Sequence, residues 1–282
     1  MSRLLADPDR DRALREKGFT TAALLAAGEA EQLLEALLAL RPDAAEPTDR
    51  AMPGFACHSS FLHPDEAYRR AACVIVEEAL GPRLDALLVG YRRLIAGFLV
   101  KPAGTGEVPL HRDWTMTANA DAVALSIWCP LADVEEANGA LAFVPGSHRM
   151  AGGIETPNRP ARWHEVAARL KGDAVPAPLR AGEAAIYDSR TLHWSHPNRA
   201  RAIRPVATAT YIPAAEIPVF YSVGPGARDG RAEAIDMSGD LYLAQDPADW
   251  FRGAVCGPRF ANRGDSRPAG LVGRVRAVLG RG

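Results

Sequence analysis

His111 and Asp113 stand two apart at the end of the run Val108-Pro109-Leu110-His111-Arg112-Asp113. Side chains along a strand alternate faces, so residues i and i+2 point the same way. An imidazole and a carboxylate can therefore converge on one point. A second imidazole, His193 or His196, follows about eighty residues on. Two imidazoles and one carboxylate leave coordination positions open, which suits a non-haem ferrous ion.

The later stretch adds an anion site. His193 and Ser195 share a face by the same alternation. Arg204 lies eleven residues after His193, inside the apolar run Ile203–Ile212. A buried guanidinium without a partner is costly. A ligand carboxylate would satisfy it through two parallel hydrogen bonds, which Arg offers and Lys does not. A 2-oxo diacid fits both ends, with its keto and adjacent carboxylate oxygens on iron and its far carboxylate on Arg204.

Short strands must carry these residues. From Tyr91 onward, apolar runs alternate with Gly, Pro, Asn and Asp: 94–100, 108–113, 122–128, 140–144, 184–187, 192–195, 203–212 and 219–223. Such spacing predicts a barrel or jelly roll rather than a parallel sheet with crossover helices. The first ninety residues read as mainly helical. A short helix is expected within 1–20, and a longer one over Thr21–Leu40, where leucines recur near helical period. A further helix is expected from Pro64-Asp65 to about Leu80, stopped by Gly81-Pro82. Residues 43–53 read as a loop, and 146–178 as a long irregular segment with a short helix near 162–171, placed to act as a lid.

Composition narrows the class. The chain has 282 residues, 48% hydrophobic and 24% charged, with a formal net charge of -1. This is ordinary globular usage, and nothing in it marks a nucleic-acid partner. No run approaches a membrane span, and Met1–Arg15 has no apolar core of a signal peptide. Four cysteines without CxxC spacing argue against a zinc ribbon or a disulfide scaffold. A cytoplasmic protein is expected. The Arg-rich tail 251–282 reads as a solvated or subunit-contacting segment.

Taken together, Leu110-His111-Arg112-Asp113, Leu125-Ser126-Ile127-Trp128, Asn138-Gly139-Ala140-Leu141-Ala142-Phe143-Val144-Pro145-Gly146-Ser147-His148, and His193-Trp194-Ser195-His196-Pro197-Asn198 with Arg204 resemble the phytanoyl-CoA dioxygenase (PhyH-like) family of Fe(II)/2-oxoglutarate oxygenases. The likeness runs over about 91–211. It implies a mainly β fold, a double-stranded β-helix (jelly roll, cupin-like) core with N-terminal helices packed outside. One domain over 1–282 is expected, helical over 1–90, β-core over 91–224 and a C-terminal extension over 225–282.

By the same resemblance, His111, Asp113 and His193 bind iron, Arg204 clamps the far carboxylate of 2-oxoglutarate, and Ser195 and Ser126 contact the cosubstrate. Fe(II), 2-oxoglutarate and O2 are the implied cofactors, and hydroxylation of a small molecule, possibly carrier-bound, is the implied reaction. Glu183 and Trp194 depart from the family pattern, and Trp194 is large enough to narrow the substrate mouth. His58, His63 and His164 read as surface or loop residues, and Arg112 as a surface ion-pair former. Substrate contacts are expected from 43–63, 114–119 and 147–178. Two other readings use the same residues: a non-redox cupin-like metal-binding or isomerase protein, and a catalytically inactive relative.

Overall fold

The computed structural model describes residues 3–41, 43–44, 57–150, 152–158, 163, 166–224, 232–238, 240–255 and 257–260. Most of the expected 43–53 loop, His164, Cys256 and the tail beyond 260 lie outside these residues.

The chain opens with α1 (Pro8–Lys17), β1 (Phe19–Ala23), α2 (Ala27–Leu40), β2 (His58–Ser59) and α3 (Glu66–Leu87). Then come β3 (Tyr91–Lys101), β4 (Val108–His111), β5 (Leu125–Pro130), β6 (Leu141–Phe143), α4 (Ala167–Gly172) and β7 (Val175–Ala177). The core closes with β8 (Glu183–Asp188), β9 (His193–Ser195) and β10 (Arg204–Pro213). A last group holds β11 (Val219–Val223), β12 (Ala232–Asp236), α5 (Leu241–Ala244), α6 (Pro247–Arg252) and β13 (Arg259–Phe260).

Two antiparallel sheets face each other. One has the order β1-β8-β5-β10-β3-β2, the other β4-β9-β6-β7, and β11-β12-β13 form a third. This is the expected jelly roll. Alternation divides the larger sheet cleanly. Leu125, Ile127, Cys129, Ala184, Ile186, Ala207 and Ala209 point outward into one apolar cluster with Leu33 and Leu37 of α2 and Val76, Leu80 and Leu84 of α3. Trp128, Ala185, Tyr187 and Val206 point inward, toward Leu141 and Phe143 of the smaller sheet. The helices thus cover one face, as expected, and the other face is left to line a cavity.

The helix starts follow their caps. Asp7 accepts from the backbone N–H groups of Asp9 and Arg10, and Asp65 from those of Ala67 and Tyr68.

Two boundaries differ from expectation. Residues 19–23 form β1, paired along its whole length with β8, rather than the first turn of a helix. Thr20 and Thr21 are β-branched, and Gly182 (φ +84) lets the Leu25 carbonyl approach where a Cβ would sit at 2.3 Å. The third helix also passes through Gly81-Pro82 to Leu87. Leu80 and Leu84 are buried at 1% and 0% on either side of that pair, so packing outweighs the lost backbone hydrogen bond.

Candidate active site

His111 and His193 are register partners across the β4–β9 ladder, and Phe143 of β6 is paired with His193 on its other side. Their imidazole centroids are 4.3 Å apart. Asp113 follows the end of β4, where its N–H donates to the Ser189 carbonyl at 3.0 Å. Its Oδ1 lies 3.8 Å from His111 Nε2 and 3.5 Å from His193 Nε2. One ligand atom from each of the three residues falls within 4.8 Å of the others. The residues read from the sequence as a triad are brought together, and His196 is not among them.

The donor set fits a cation. His111 Nδ1 donates to the Pro109 carbonyl at 2.7 Å, and His193 Nδ1 to the Thr191 carbonyl at 2.9 Å. With the proton held there, each Nε2 turns a lone pair toward Asp113. Burial, and then the neighbouring His193, push His111 down to about 4, so its imidazole is neutral near pH 7. A neutral imidazole is the form that binds metal.

The carboxylate is also steered. Ser126 Oγ donates to Asp113 Oδ2 at 2.5 Å and sits 3.0 Å from Ser189 Oγ. Ser126 was expected to contact cosubstrate, and its observed partner is the Asp113 carboxylate. Tyr187 places its hydroxyl 3.5 Å from His193 Nε2. Burial, and then the Asp113 charge, hold its phenol well above the usual range.

These groups line a cavity of about 260 Å³ between the two sheets. Arg204 and Ser195 line it too, at 3% and 2% exposure. Arg204 lies 5.0 Å over the Trp128 ring, and its Nε and Nη1 are buried without a hydrogen-bond partner among the described residues. Desolvation lowers its pKa to about 10, yet it stays charged at neutral pH. Two orphaned donors on a buried cation are what a bound carboxylate would satisfy.

Another part of the lining is apolar. Phe61, Leu62, Ile95, Trp114 and Met116 form its wall, backed by Trp250 at 4.6 Å from Phe61 and 5.9 Å from Trp114. Of the segments expected to touch substrate, 43–63 and 114–119 each contribute residues to this lining, whereas no described residue of 147–178 does.

Several other expectations are corrected. Trp194 is turned away by strand alternation, packs with the α4 side and lies 4.6 Å beneath Lys171 Nζ. It does not narrow the mouth. Arg112 is buried rather than at the surface, donating to the Ser147 and Met150 carbonyls at 2.6 and 2.9 Å and stacking over Trp163. His58 and His63 are buried, and His58 Nε2 meets the Tyr68 hydroxyl at 2.7 Å.

The sequence profile of the family "Phytanoyl-CoA dioxygenase (PhyH)" matches residues 15–206, more than half of the chain. The protein belongs to the phytanoyl-CoA dioxygenase family.

Two curated relatives are similar over a shorter stretch. A "Probable alpha-ketoglutarate-dependent hypophosphite dioxygenase" of Stutzerimonas stutzeri is 29% identical over 107 residues, 35% of this chain and 37% of its own length. The "Phytanoyl-CoA dioxygenase domain-containing protein 1" of Danio rerio is 31% identical over 119 residues, 38% of this chain and 40% of its own. The matched stretch thus spans about two fifths of either relative. Among solved structures, the epimerase SnoN in complex with Fe3+, alpha ketoglutarate and nogalamycin RO shares the fold. Its TM-score is 0.55 at 22% identity, over 82% of this chain and 94% of that one. Among the described residues of the PhyH-family chain, no helix is long and apolar enough to cross a membrane.

Proposed function

We propose that this chain is an Fe(II)/2-oxoglutarate-dependent dioxygenase that hydroxylates a small, largely uncharged organic molecule, free or carrier-bound, with release of succinate and CO2. One observation carries the reading: the His111–Asp113–His193 cluster shares a cavity with a buried arginine whose Nε and Nη1 find no hydrogen-bond acceptor among the described residues.

In this reading His111 Nε2, His193 Nε2 and Asp113 Oδ1 would hold the ferrous ion. Bound together with 2-oxoglutarate, the ion supplies the O2 chemistry that oxidises the keto acid and the substrate. The rest falls to the protein. The Pro109 and Thr191 carbonyls fix the imidazole tautomers. Ser126 sets the angle of the Asp113 carboxylate. Arg204 and Ser195 would anchor the far carboxylate of the cosubstrate. Tyr187 remains protonated and offers a hydroxyl beside His193. Phe61, Trp114 and Met116 give the cavity an apolar side against which an uncharged substrate could pack. No general base is required.

The apolar wall supports the choice of substrate class. A small inorganic anion, such as the hypophosphite in the relative's name, would find no charged side chain among the described residues of that wall.

The test is incubation of purified protein with Fe(II), 2-oxoglutarate and a metabolite panel, following succinate and product mass. Substrate-dependent succinate with a product heavier by one oxygen is expected. Succinate without that mass gain would replace hydroxylation with desaturation, cyclisation or epimerisation. No succinate with any substrate would favour a non-redox or inactive protein.

A further inference from the structure

Lys101 is the register partner of Arg204 across the β3–β10 ladder. Side chains directly opposite in register share a face, and here the two cations lie 1% and 3% exposed. Like charges at such positions repel. No carboxylate among the described residues forms an ion pair with either one. The chain carries thirty arginines and three lysines, and one of the three occupies this buried place.

The ammonium has chosen its partners. Lys101 Nζ donates to Ser195 Oγ at 2.8 Å and to the His196 carbonyl. With an acceptor site of the serine taken by the ammonium, the hydroxyl proton of Ser195 is left for an acceptor on the cavity side, along the wall it shares with Arg204. Gly139 permits the crowding: at φ +100, an added Cβ would lie 3.2 Å from Lys101 Cδ and 3.4 Å from Arg204 Nε.

We propose that Lys101 is a positioning residue that turns the Ser195 hydroxyl toward the carboxylate held by Arg204 and, as a second buried positive charge, makes this end of the cavity select an oxo-diacid over an oxo-monoacid. This rests on the reading of Arg204 as the anchor. The electrostatics agree with it. Desolvation first, and Arg204 second, push Lys101 down to about 8. The other groups bearing on it are Cys57, Glu107 and His196. A bound carboxylate would relieve both cations at once.

The experiment uses the full chain loaded with Ni(II) and titrates 2-oxoglutarate and 2-oxopentanoate, which share a keto-acid head and differ in the far carboxylate. Wild type should prefer the diacid. Lys101→Met should weaken 2-oxoglutarate about tenfold or more, the worth of one charge-assisted hydrogen bond, and leave 2-oxopentanoate within about twofold. Wild-type affinity for the diacid should also fall as pH rises through about 8, while the variant stays flat. Equal weakening of both acids, unchanged diacid binding, or a pH slope that survives in Lys101→Met would overturn the proposal. If Lys101→Met does not fold, Ser195→Ala must show a selective loss of diacid binding or the proposal fails. A wild type that binds monoacid and diacid alike would remove the anchor reading itself, and this inference with it.

Discussion

Ser126 Oγ lies 2.5 Å from Asp113 Oδ2, while Oδ1 of the same carboxylate faces Nε2 of His193 at 3.5 Å and of His111 at 3.8 Å. One oxygen is tied to the larger sheet and the other is presented to the two imidazoles. Partners that orient a ligand change metal affinity by about ten- to a hundredfold. We expect Ser126→Ala to weaken Ni(II) binding by about tenfold in calorimetry, with circular dichroism unchanged. Unaltered affinity would mean that the serine only fills space.

Arg204 gives a prediction of opposite sign for stability and for binding. A buried cation with two unsatisfied donors is a burden on the unliganded fold, even stacked over Trp128. Arg204→Met, which keeps much of the side-chain volume, should melt no lower than wild type without ligand. Its affinity for 2-oxoglutarate should fall by about 3 kcal/mol or more, over a hundredfold, as a buried charge pair is lost. A variant that melts lower and still binds 2-oxoglutarate would show that Arg204 serves the fold.

His58 governs part of the acid sensitivity. It is 0% exposed, bonded to the Tyr68 hydroxyl, and pushed by burial from 6.5 down to about 4. Between those pH values the unfolded chain takes up a proton that the folded chain refuses, so stability falls as pH drops through that window. Thermal melting of the metal-free chain should show this loss. His111, also lowered to about 4, adds to it. His58→Gln cannot take the proton and should flatten the slope. An unchanged slope would assign the acid loss elsewhere.

Much of this was legible in the sequence, because the informative residues sit on strands where spacing fixes direction. All eight apolar runs after Tyr91 form strands, and the i, i+2 rule put His193 and Ser195 on one face. Arg204 was found by asking what an arginine does in an apolar strand. Lys101 ends Phe98-Leu99-Val100 in the same way and invited the same question. Its role needed the β3–β10 register, which local patterning does not carry. Tyr187 likewise became visible only when β8 paired with β5 and set it opposite Ser126. Strand β1 was obscured because the Ala- and Leu-rich text after it reads as helix, and tertiary pairing with β8 decides otherwise. Trp194 was judged by size alone, while alternation already turned it away from His193 and Ser195.

The most direct test of the central claim is an anaerobic titration of the purified chain with Fe(II) and then 2-oxoglutarate, read by calorimetry. We expect one ferrous ion per chain, 2-oxoglutarate uptake that depends on the metal, and loss of both in His193→Ala. Metal that binds equally well after that substitution, or 2-oxoglutarate that binds to neither metal-loaded nor metal-free protein, would contradict it.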